Sequence, residues 1–114
     1  MSREERIEHP RILIDKKATF STDHPINNGF TYNLSPNGLS LLSDVQLPVN
    51  SGITINIHLT EYDSKNMLVD EVAKVEGKVV WVTENPNQQA KMGIKFNKPN
   101  AKLLKYYMKN SADL

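Results

Sequence analysis

Residues 53–59 alternate without a break. Ile53, Ile55, Ile57 and Leu59 fall on one side of an extended backbone, and Thr54, Asn56 and His58 on the other. A period of two gives a helix no coherent apolar face, so this stretch predicts a half-buried antiparallel strand that needs strand partners. The rest of the chain supplies them. Residues 12–14 and 18–22 read as short extended segments. Residues 23–29 collect turn formers, with Asn28-Gly29 as the hairpin pair. Residues 30–34 and 39–42 flank the tight turn Ser35-Pro36-Asn37-Gly38. Residues 67–75 are expected to be extended, residues 77–83 are β-branched and aromatic, and residues 92–96 form the last strand.

Only the tail has helical spacing. From Pro99 to Asn110, Leu104, Tyr107 and Met108 fall on one face with Leu103 beside them. Lys98, Lys102, Lys105 and Lys109 fall on the other face, read here as solvated. Six to eight short strands followed by one helix predict a small all-β barrel or sandwich with a C-terminal helix. With 114 residues the chain holds one core. The expected organisation is an N-terminal leader over residues 1–11, the β domain with its helix at 99–110 over residues 12–110, and a short tail over 111–114.

Composition removes several classes of chemistry. There is no cysteine, which excludes disulfides, a thiolate nucleophile and cysteine-ligated metal. His9, His24 and His58 fit no metal-ligand spacing, and no serine stands in a nucleophile elbow. No glycine-rich phosphate loop is present, so the reading is a non-enzymatic protein without a metal or cofactor. No apolar run approaches a membrane span, and Glu4, Glu5 and Glu8 do not read as a secretory signal, which makes a cytoplasmic location the expectation. A net charge of +1 argues for no particular partner, but glutamates interleaved with the N-terminal arginines and the lack of a basic groove with an aromatic platform argue against DNA or RNA.

The distribution of cations is more telling. All three arginines, Arg3, Arg6 and Arg11, lie in the first eleven residues, and all eleven lysines follow. Arginine presents a planar fork of donors suited to phosphate, carboxylate or a guanine edge. A second concentration of polar chemistry lies at Asn33-Leu34-Ser35-Pro36-Asn37-Gly38. Asn33 and Ser35, two apart on a strand end, share one face, and Gly38 permits a positive φ and a close backbone approach to a ligand. On the residues alone, this is either a hydrogen-bonding platform or a side-chain-capped hairpin turn. Trp81 reads first as packing on a central strand and second as a stacking surface.

Together these motifs resemble the PilZ domain family. Its arginine-bearing opening ends in R-x-x-x-R and is followed by [D/N]-x-S-x-x-G, which Asn33, Ser35 and Gly38 match in full. Glu76-Gly77-Lys78-Val79-Val80-Trp81-Val82 and Gly93-Ile94-Lys95-Phe96 resemble the family's later strands, and a C-terminal helix follows in both. The resemblance implies a six-stranded antiparallel β-barrel that binds the second messenger cyclic di-GMP. It further implies that the N-terminal arginines close over the nucleotide while the Asn/Ser/Gly turn holds it from below. The implied ligand-binding residues are Arg6, Arg11, Asn33, Ser35 and Gly38, with an unidentified downstream protein as partner, in motility or biofilm regulation. One departure stands out: four residues before Arg11 is Ile7, and Arg6 lies one position earlier, which gives R-x-x-x-x-R. In an extended segment that shift turns a side chain to the opposite face. Two readings follow, a cyclic di-GMP receptor or an interaction adaptor on the same fold that binds the nucleotide weakly or not at all.

Overall fold

The computed structural model describes residues 11–14, 16–22, 26–62, 64–84 and 89–111. Arg3, Arg6, Ile7, His9 and His24 lie outside them. The strands are β1 (Ile12–Leu13), β2 (Lys17–Ser21), β3 (Asn27–Ser35), β4 (Gly38–Ser43), β5 (Gly52–Tyr62), β6 (Leu68–Thr83) and β7 (Ala90–Phe96), followed by helix α1 (Ala101–Ser111). Every pairing is antiparallel. Around the ring the order is β3-β2-β5-β6-β7-β4, and the β3–β4 pairing closes it into a six-stranded barrel. The seventh strand, β1, lies outside on β3.

The alternation that opened the reading is borne out: Ile53, Ile55, Ile57 and Leu59 all point into the barrel. They meet Phe20, Leu34, Leu39, Leu41, Val79, Met92 and Ile94 in a single core. The C-terminal helix starts two residues later than its spacing suggests. Asn100 caps it, its Oδ1 accepting the Leu103 amide at 3.0 Å while its Nδ2 donates to the Lys74 carbonyl at 2.9 Å. Of the expected core contacts, Leu103 and Tyr107 are buried and Leu104 is half-buried, while Met108 is exposed. Nor is the lysine face wholly solvated, because Lys102 Nζ donates to the Val72 carbonyl at 3.1 Å. With Asn100 on Lys74 and the Asn97 amide on Glu76, this caps alternate carbonyls of β6 on its open edge. Asn100→Ala removes both the cap and an edge bond. A loss of about 1–2 kcal/mol in chemical denaturation is expected.

Two local readings are corrected. Asn28-Gly29 is not a turn but part of β3, paired with Thr19 and Ala18. Gly29 serves close packing there, since a Cβ would press on the Leu42 carbonyl and the Phe20 ring. The segments read as 67–75 and 77–83 are one strand of 16 residues, β6, which pairs with β5 along its first part and with β7 along its second.

Candidate functional site

The registers of β3, β4, β7 and β6 stack residues into rows across the barrel wall. The row Leu34, Leu39, Ile94, Val79 points inward, and all four side chains are buried. The next row toward the β3–β4 turn is therefore outward-facing, and it consists of Ser35, Gly38, Lys95 and Lys78. Arg11 immediately precedes Ile12, the partner of Leu34, and so reaches the end of this row beside Ser35.

The outward row on the other side carries two β-bulges. Tyr32 and Asn33 together oppose Ser40, and Val80 and Trp81 together oppose Gly93. Ser40 and Gly93 pair with each other, so both bulges fall on one line. A bulge inserts one residue and re-aims the side chains beside it. In β6 the result is decisive. Strict alternation from buried Val79 would bury Trp81, but the extra residue turns both Val80 and Trp81 outward, and Trp81 is 38% exposed. Its indole lies flat against Gly93, where any Cβ would collide with the ring.

These residues surround an open hollow of ≈ 240 Å³, lined by Arg11, Ser35, Gly38, Trp81, Lys95 and their immediate neighbours. Of the residues expected from the sequence, Arg11, Ser35 and Gly38 come together here. Asn33 does not line the hollow; it stands half-buried one outward row away, paired with Leu13. Arg6 lies outside the described residues.

The turn itself differs from expectation in how it uses its glycine. No described glycine has a positive φ, and neither Pro36 nor Asn37 does, so the two-residue turn is neither type II nor one of the primed hairpin types. Gly38 is required for another close approach: a Cβ would run into the Ile94 carbonyl of β7. Ser35 is 8% exposed, and its hydroxyl donates across the turn to the Gly38 carbonyl at 3.4 Å. Such a long bond is weak and leaves the hydroxyl oxygen free to accept. The two outward rows thus combine a guanidinium, a hydroxyl, an indole face and an ammonium around a strip with no side chain at Gly38. That set suits a planar, hydrogen-bonding anion. Farther along the same wall, Lys91 Nζ sits 4.3 Å from the Tyr32 ring centroid.

The sequence does not single out Lys95 for this hollow, and it offers stacking only as the second role of Trp81. No helix among the described residues is long and apolar enough to cross a membrane. None of their His, Asp and Glu side chains gather into a metal-binding group.

Comparison with solved structures finds the same fold repeatedly. The inhibitor of motility MotI/DgrA of Bacillus subtilis superposes with a TM-score of 0.73 at 14% identity, covering 93% of this chain and 51% of that one. The PilZ domain of YcgR from Escherichia coli, solved with c-di-GMP, gives 0.61 at 10% identity, covering 93% and 97%. A tetrameric PilZ-domain protein of Xanthomonas campestris gives 0.52 at 14% identity, covering 80% and 48%. This chain thus spans about half the length of the first and third of these proteins. No curated protein matches the sequence. The profile of the PilZ domain matches residues 5–109, nearly the whole length, and this chain belongs to the PilZ domain family.

Proposed function

We propose that this protein is a non-enzymatic receptor for cyclic di-GMP, which binds over the β3–β4 turn. The observation that carries the reading is the meeting of Arg11, Ser35 and Gly38 with the outward-turned Trp81 around one hollow. The chemistry fits the ligand. Cyclic di-GMP carries two phosphates and two guanines, and a guanidinium serves both, through charge-assisted bonds to phosphate or through the O6/N7 edge of guanine. Trp81 offers a flat face on which a base stacks, held in place by the absence of a side chain at Gly93. Asn33, on the neighbouring outward row, and Arg6 complete the proposed set of ligand-binding residues. A bound nucleotide then covers this wall and changes what a downstream protein meets there.

Isothermal calorimetry with cyclic di-GMP tests this. Micromolar or tighter binding is expected, weakened about 10- to 150-fold by Arg11→Ala, since a hydrogen bond to a charged group contributes about 1.5–3 kcal/mol. Absence of heat from folded protein overturns the receptor.

Ile7 supports a second reading, an adaptor that acts through protein contacts without nucleotide. The substitution Ile7→Arg separates the two. A receptor limited at that position gains affinity, and an adaptor gains nothing.

A further inference from the structure

Lys78 and Lys95 are directly opposite each other in the β6–β7 register, both exposed and both outward. Like charges in a registered cross-strand pair are destabilising. Neither ammonium has a hydrogen-bond or ion-pair partner among the described residues. Their surroundings do nothing to cover them. On the far side of Lys95 is Gly38, and on the far side of Lys78 is Gly52, where even an added Cβ would meet nothing within 4 Å. On its own strand, Lys95 is two residues from Gly93, the platform of the Trp81 indole. The one acidic side chain nearby on β6 is Glu76, two residues from Lys78 on the same outward side. The row therefore reads cation, hydroxyl, gap, cation, cation: Arg11, Ser35, Gly38, Lys95, Lys78. Arg11 and Lys95 are three strand spacings apart, about 14 Å, a span that their two long side chains close over the gap at Gly38.

We infer that Lys95 and Lys78 form an anion site that holds one phosphate of the nucleotide while Arg11 holds the other side of it. The inference rests on the receptor reading and deepens it. A phosphodiester between the two ammonium groups replaces their repulsion with two attractions. It also supplies a cation pair on the far side of the hollow from Arg11, in a chain that carries isoleucine at position 7.

The test pairs two readouts that a merely structural role would move together. Calorimetry with cyclic di-GMP is run on the wild type, Lys95→Ala, Lys78→Ala and Lys95→Arg, with Lys74→Ala as a control farther along β6. Thermal unfolding of each without ligand accompanies it. Lys95→Ala is expected to lose about tenfold or more in affinity. Its unfolding temperature without ligand is expected to be unchanged or higher, because a repulsion has gone. Lys78→Ala follows in the same direction, Lys95→Arg retains binding, and Lys74→Ala matches the wild type. The loss in Lys95→Ala shrinks at high salt, as exposed charges are screened. If the wild type binds and both alanine variants bind equally well, the inference is overturned and the receptor stands. If the wild type does not bind at all, the receptor reading falls and takes the inference with it.

Discussion

Gly38→Val is expected to destabilise the barrel by about 3 kcal/mol or more, at the upper end of what overpacking costs. The reason is the nature of the obstacle. The first side-chain atom at position 38 meets the Ile94 carbonyl of the adjacent strand, and backbone in a closed barrel has nowhere to retreat. The matched substitution Gly52→Ala provides the contrast. Nothing lies within 4 Å of a Cβ there and its φ is not positive, so it should be neutral or stabilising by a few tenths to about 1 kcal/mol through the unfolded state. Urea unfolding of the two variants decides the matter. Equal stabilities for the two would contradict the packing described at the β4–β7 seam.

Gly93→Ala should act on the site more than on the fold. Its methyl group must displace the Trp81 indole, the end of a side chain that can rotate into solvent. Trp81 is the only tryptophan, so its fluorescence reports the change directly. A red-shifted emission maximum is expected, with a loss of cyclic di-GMP affinity of about tenfold, since removal of an aromatic stacking surface costs about 1–3 kcal/mol per base. Unchanged emission would show that the ring does not need the bare backbone at Gly93. Emission that shifts without any loss of binding would remove Trp81 from the site.

Much of this architecture is legible in the sequence because it depends on alternation. The inward residues of β5, the turn at Pro36-Asn37 and the helical tail all follow from spacing and turn chemistry. What escaped has identifiable causes. Asn28-Gly29 has the composition of a turn, but close packing against Phe20 and Leu42 selects the glycine, and a pair of residues cannot reveal what lies across the sheet. The unity of β6 is hidden because Glu76-Gly77 looks like a break when read locally. Trp81 reads first as packing because an aromatic on a central strand usually packs, and only the bulge at Val80, invisible in the sequence, turns it outward. The position of Lys95 opposite Lys78 and next to Gly38 depends on pairings between segments far apart in sequence. Of the residues around the hollow, Arg11, Ser35 and Gly38 were readable from the chain, whereas Gly93 and Lys95, which face them from β7, were not.

The seam between β4 and β7 has a consequence for how the protein comes into being. Gly38 and Lys95, like Ser40 and Gly93, are neighbours in space but more than fifty residues apart along the chain. Contacts of such separation form slowly, because the intervening loop must close before they contribute anything. The turn at Pro36-Asn37 can form early as a local hairpin, and on that schedule it waits without its tryptophan wall or its lysines. The hollow is thus completed only as the ring closes. A polypeptide still in synthesis, with residues 90–96 not yet free of the ribosome, has the turn at Pro36-Asn37 and no hollow beside it.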